Sequence, residues 1–180
     1  DYNEFKTKNG RSVFDGGGIL PDVSLETSEF SAITNALLAS NAIFNYATEY
    51  YYSHKVEDPV SFTFSDADFN SFKNYLEKSN FKYETRTEVD LAKALKTAED
   101  EGFGEDVKDN YTQTLAEIAK AKKASLDAKK AEISTLLTDE IIKRYFYQDG
   151  LYQHYVKNNP EISEAQAILG NSSKYSAILK

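Results

Sequence analysis

The stretch EDVKDNYTQTLAEIAKAKKASLDAKKAEISTLLTDEIIKRYFYQ, residues 105–148, holds neither Gly nor Pro. Within it Val107, Tyr111, Leu115 and Ile118, then Ile133, Leu137, Ile141 and Tyr145, recur every three or four positions. That spacing gathers side chains on one face of an α-helix and scatters them over both faces of a strand, so the segment reads as helical. Its apolar stripe thins between Ala119 and Lys130, where Ser125 and Asp127 are good cap residues, so a break is expected there. Two antiparallel helices and one bent rod both fit the pattern.

The period persists on either side. Upstream, Thr87 is placed to cap a helix carrying Leu91, Leu95 and Ala98, with Asp90 at its third position, and Gly102-Phe103-Gly104 stops it. Ser65, with Asp68 three residues on, opens another, with Phe69, Phe72, Tyr75 and Leu76 as its stripe. Val60–Phe64 is a short extended run after Pro59. Further upstream, Phe30, Ile33, Leu37, Phe44 and Tyr51 indicate a helix of about six turns, capped by Ser28 with Glu29 in its first turn. Downstream, Gly150 and Pro160 bracket a link, Ser163 caps a short helix ending at Gly170, and Tyr175, Ile178 and Leu179 make a last apolar turn. The fold class is therefore mainly α, a multi-helix domain.

The exception lies at the start. Phe5–Lys8 and Arg11–Phe14 flank Asn9-Gly10, the pair suited to a type I′ turn, so residues 2–14 read as a hairpin. Gly16-Gly17-Gly18 and Ile19-Leu20-Pro21-Asp22-Val23 close this part, giving a division into 1–24 and 25–180. A two-stranded ribbon is marginal alone in water, so a larger sheet is its expected neighbour.

Composition bounds the function. With 41% hydrophobic and 28% charged residues, the chain supports a globular core rather than disorder. The absence of Cys excludes disulfides, thiolate metal sites and a Cys nucleophile, and the absence of Met reads as the mark of a piece cut from a longer chain. A net charge of −8 disfavours nucleic acid. The acidity is local: residues 57–106 hold thirteen acids against six bases, and 107–150 seven against eight. No apolar run is long enough to span a bilayer, and the Lys-rich stretch Lys120–Lys130 reads as a solvated helix face, so no membrane contact is expected of this segment.

Candidate chemistry is sparse. Asp66, Asp68 and Asn70 with Glu77 mimic an EF-hand loop, but Ser71 stands where Gly is needed and the Phe69, Phe72, Leu76 stripe runs straight through, so a capped helix is the better reading. His54 and His154 read as surface or helix-terminal residues. No serine sits in a nucleophile elbow, and Asn110 and Asn171 match the glycosylation triplet only as chance allows. No catalytic, metal or cofactor-binding residue is nominated. The tyrosines carry more: Tyr50, Tyr51 and Tyr52, with Tyr145 and Tyr147, cannot all face one side of a helix. Packing between helices is the preferred reading, and an exposed surface belonging to an independent Tyr-rich peptide-binding module is the alternative.

Thr7–Val23, with Gly10, Arg11, Gly16, Gly17, Gly18, Ile19, Pro21 and Asp22 as its ordered elements, resembles the end of the catalytic core in C-terminal processing (tail-specific) serine peptidases. The remainder is more loosely similar to the helical tail of Bacteroidetes-type members, in the helix start at Phe64–Phe72, the Tyr83–Glu88 run, Ile141–Tyr147 and the closing helices. The resemblance implies that the hairpin belongs to a peptidase core and that 25–180 is an accessory domain bracing it, with dimerisation or substrate presentation as further roles. It implies a parent enzyme with a Ser/Lys dyad and a PDZ domain, neither of which has counterpart residues here, so this piece is expected to be inactive. Implied partners are the core and PDZ domain of its own chain, a second copy, and the parent's peptide substrates; the implied location is the periplasm or cell envelope.

Overall fold

In the computed structural model, which describes residues 3–16, 21–25 and 29–179, a small β-hairpin precedes a series of helices. Strand β1 (Asn3–Lys6) pairs antiparallel with β2 (Ser12–Asp15), Asn3 opposite Asp15 and Lys6 opposite Ser12. The turn differs from the expected type I′. Gly10 donates its N–H to Thr7 C=O (2.9 Å), and Gly10 alone takes a positive φ, +84°, while Asn9 does not. One left-handed residue after a tight turn makes a three-residue loop, a shape that asks only Gly10 to leave the ordinary regions.

Helices α1 (Ala32–Ala39) and α2 (Ala42–Ser53) replace the single long helix expected. Asn41 interrupts it at φ 57°, a conformation that Asn tolerates better than other side chains. The cap of α1 is Ser31, whose hydroxyl accepts from Thr34 N–H, not Ser28, which lies outside the described residues. Helix α3 (Asp66–Lys78) starts on the expected Ser65–Asp68 capping box and runs through the EF-hand mimic without a loop. It ends with Asn80 at φ 51° and Phe81 N–H donating to Leu76 C=O (3.0 Å).

Helix α4 (Arg86–Asp100) opens on Thr85, not Thr87, because Thr85 and Glu88 complete a second capping box. Gly102 closes it at φ 86°, with Phe103 N–H reaching Ala98 C=O (2.7 Å). Helix α5 (Gly104–Ala128) then returns along α4. The break expected before Lys130 is real but falls at Lys129 (φ −107°), and neither Ser125 nor Asp127 caps it. Ser125 donates instead to Lys122 C=O (2.6 Å), and Asp127 pairs with Lys73 (2.9 Å). The long seam of α5 is with α4.

Helix α6 (Lys130–Asn158) runs in two segments that double back at Tyr147 (φ 56°, ψ −157°). Tyr155, sixteen residues beyond Asp139, donates its hydroxyl to Asp139 Oδ2 at 2.5 Å. A straight helix would hold those residues about 24 Å apart. Gly150 is thus no link: it is buried where the two segments of α6 meet, and a Cβ there would lie 2.1 Å from Phe146 Cβ. Helix α7 (Pro160–Leu169) is capped by Asn159 with Pro160 in its first turn, not by Ser163, and α8 (Ser172–Ile178) by Asn171.

The core sits between α1, α2, α3 and the first segment of α6. Leu37, Ala47, Phe72, Ile133, Leu137 and Ile141 have no exposed surface. In α4 and α5, by contrast, no residue is buried, so they form an arm whose seam is only half covered. The arm is pinned at its root by Lys122, whose ammonium bonds Glu88 (2.9 Å) and Tyr83 C=O (2.5 Å) over the Tyr83 ring.

Candidate functional site

The tyrosines divide between packing and exposure. Tyr50 is buried, stacked on the His54 ring at 3.9 Å. Tyr145 donates its hydroxyl to His54 C=O (2.8 Å) and Tyr51 C=O (3.2 Å), and its ring meets Tyr51 at 4.8 Å, so both hold α2 to α6. Arg144 completes that junction, bonding Glu140 (2.9 Å) and Phe44 C=O (2.6 Å). Tyr52, whose ring meets Tyr51 edge-on at 5.6 Å, and Tyr147 are the most exposed of the set, at 82% and 79%. A groove formed by the whole set does not exist.

Of the motif residues, Arg11 and Asp22 form an ion pair that ties the hairpin to the segment after it, and Gly10 serves the turn. Gly16 has φ 128°, a value suited to glycine, and Pro21 lies beside α7 with Val23 and Leu25, facing Ala165 and Ile168. Gly17, Gly18 and Ile19 lie outside the described residues.

The reversal of α6 builds a feature that residue spacing did not announce. In its crook, closed by Phe62 and Phe64, lies an open cavity of about 390 Å³ lined by Ser134, Asp139, His154 and Tyr155 among others. His154 is buried, a correction to its surface reading, and its Nδ1 lies 2.8 Å from Pro59 C=O. A carbonyl only accepts, so Nδ1 carries the proton. Burial pushes the Asp139 carboxyl above its ordinary value, against the lowering effect of the Tyr155 hydroxyl, and burial followed by Asp139 itself pushes the Tyr155 phenol up.

Ser, His and Asp therefore share one cavity without forming a relay. Nδ1–H of His154 is spent on Pro59, the Asp139 carboxyl on Tyr155, and Ser134 Oγ, buried, has no hydrogen-bond partner among the described residues. Nucleophilic catalysis requires the base to contact the nucleophile and the acid to orient the base, and neither contact is made. Among the described residues no group of three or more His, Asp or Glu is placed to hold a metal ion. The cavity joins the two arms of α6 to the 59–64 segment, also through Asn158 Nδ2 to Val60 C=O (3.2 Å).

The family described as probable PDZ-protease, C-terminal helical domain, matches residues 33–169. The chain belongs to that family. The matched span runs from the first turn of α1 to the last residue of α7, so it takes in the arm, the reversal of α6 and the core of this PDZ-protease helical domain. Residues 1–32, with the peptidase-like motif, lie outside it. No curated protein and no solved structure matches the chain. Among the described residues no helix is long and apolar enough to cross a membrane.

Proposed function

We propose that residues 25–180 are a non-catalytic accessory domain that braces the peptidase core of a C-terminal processing serine endopeptidase, and that residues 1–24 are the last hairpin of that core. The observation that carries the reading is the contrast between the two parts. Every residue of β1 is exposed, and Phe5 and Phe14 stand 51% and 42% exposed, while the helices bury a complete core without them. Large aromatics on an unpartnered two-stranded ribbon call for a neighbouring sheet. Membership of a PDZ-protease helical-domain family supports the reading.

On this reading the nucleophile, its lysine base and the PDZ domain lie in the rest of the parent chain, and the parent works in the periplasm or cell envelope. The half-covered arm and the exposed Tyr52 and Tyr147 are the surfaces left for its own core or for peptide substrates. Deleting residues 28–180 from the full-length enzyme tests the proposal. The expected result is loss of thermal stability, of assembly or of substrate choice; unchanged activity, melting and oligomeric state would refute it. The 180-residue chain alone is expected to leave unstructured peptides uncut, and cleavage stopped by a serine-directed inhibitor would overturn the assignment.

A further inference from the structure

The crook of α6 holds a charge without a counter-charge. Asp139 is half-buried there, and among the described residues no Lys or Arg lines the cavity. Its carboxyl enters no ion pair among those residues, and Tyr155, at Oδ2, is its hydrogen-bond donor. Lys143, whose charge reaches Asp139, is already paired with Glu140 at 3.0 Å. Glu161, at the start of α7, adds further negative potential at Tyr155. A carboxylate withdrawn from water without a cation either keeps a proton or takes up a cation.

The lining also spends most of its donors inward. His154 gives Nδ1–H to Pro59 C=O, Asn158 gives its amide hydrogens to Val60 C=O (3.2 Å) and His154 C=O (3.1 Å), and Thr135 gives its hydroxyl to Ala131 C=O (3.0 Å). What remains is chiefly acceptors: Asp139 Oδ1, the lone pairs of the Tyr155 oxygen, and Nε2 of His154, to which no described residue bonds. Phe62, Phe64 and Pro160 supply an apolar wall beside them. An alkylammonium matches this set, with three N–H donors, no acceptor, and a stem that covers apolar surface as a lysine stem does. A metal ion matches it poorly, because no group of three or more His, Asp or Glu is assembled among the described residues. An anion would meet Asp139 with no base to offset it. The volume, about 390 Å³, is at the small end for ligand sites and suits a short amine or one side chain.

We propose that the crook of α6 is a binding site for a primary ammonium group on an alkyl stem, held by Asp139, Tyr155 and His154 with the stem against Phe62 and Phe64. A free amine and the lysine side chain of a peptide present the same group. So small a ligand binds weakly, on the order of millimolar. The site is separate from the bracing role, and its failure would leave the deletion experiment above unaffected.

The chain's two histidines carry the test, since His154 lines the cavity while His54 stacks on Tyr50 outside it. Their ring signals are followed by NMR in the 180-residue chain as n-butylammonium is added at mildly alkaline pH, where an ordinary imidazole is neutral. A saturable shift of the His154 signals is expected, with His54 unmoved. n-Butanol and butyrate, which keep the stem but lose or reverse the charge, are expected to bind about tenfold or more weakly, a comparison that needs no substitution. Asp139→Asn keeps the shape and an acceptor for Tyr155, and is expected to lose about tenfold in affinity for n-butylammonium with unchanged circular dichroism. A capped peptide with one lysine, compared with its norleucine counterpart, separates the sources. Binding tighter than that of n-butylammonium and lost with norleucine assigns the site to a peptide lysine, and weaker binding assigns it to a free amine. No saturable shift at His154, equal shifts at both histidines, n-butanol or butyrate binding as well as n-butylammonium, or an unchanged affinity in Asp139→Asn would each overturn the proposal.

Discussion

Two residues set how tightly the domain is built. Gly150 sits where α6 closes on itself, with Phe146 Cβ at 2.1 Å and Phe146 Cγ at 3.1 Å from the position of an added Cβ. Helix propensity favours Ala over Gly by about 1 kcal/mol. Overpacking against a Cβ, which no rotamer change moves away, costs about 3 kcal/mol. The clash wins, so Gly150→Ala is expected to lose about 2 kcal/mol in urea denaturation. Glu88 is the second. The Thr85 backbone N–H, then the Lys122 ammonium and the Thr85 hydroxyl, hold its carboxyl down to about 2, from an ordinary 4.5. A carboxyl depressed on folding gives up its proton more readily in the folded chain, so its stabilisation is complete above pH 4.5 and fades as pH falls toward 2. Glu88→Ala is expected to cost about 1–2 kcal/mol at neutral pH, with the gap to wild type closing over that acid range in thermal melts.

Between elements, the decisive positions are the three non-glycine residues with positive φ among the described residues, Asn41, Asn80 and Tyr147. The two asparagines end α1 and α3 in a conformation their short polar side chains accept. Tyr147 is different: φ 56° with ψ −157° is close to territory that glycine alone occupies readily, a cost of about 1–3 kcal/mol. Its ring is 79% exposed, so little packing offsets that cost locally. Tyr147→Gly is expected to raise stability by about 1 kcal/mol after the entropy cost of glycine, whereas Tyr147→Val should lower it. Chemical denaturation of both variants decides, and a less stable Tyr147→Gly would show that the phenol ring supports the bend. No pattern of apolar spacing signals a reversal at a tyrosine. The cavity of Ser134, Asp139, His154 and Tyr155 was therefore illegible in the sequence, although every residue lining it was in view.

For the molecule as a whole, the hairpin and the helical core are energetically separate. The core cluster draws on α1, α2, α3, α6 and Phe64, and includes no residue of β1 or β2. Removing residues 1–16 is expected to leave the melting temperature and helix content of the remainder unchanged within error, measured by circular dichroism. A drop of more than a few degrees would mean that the hairpin is part of the helical fold, and would weaken the assignment of residues 1–24 to a separate peptidase core.

Helices over 66–78, 88–100 and 105–148, the β-hairpin before them and the capping box at Ser65 follow from the sequence by itself, because period, caps and Gly-containing stops are local signals. Local signals also placed the break near Lys129, but gave its cap to the wrong residues. Tertiary structure alone decided that α4, and not α6, lies along α5, that Tyr50 and Tyr145 are spent on packing while Tyr52 and Tyr147 are not, and that α6 folds back to bury His154. The reason is common to all three: which partner covers an amphipathic face is settled by the closure of the whole core, and no window of sequence contains that competition.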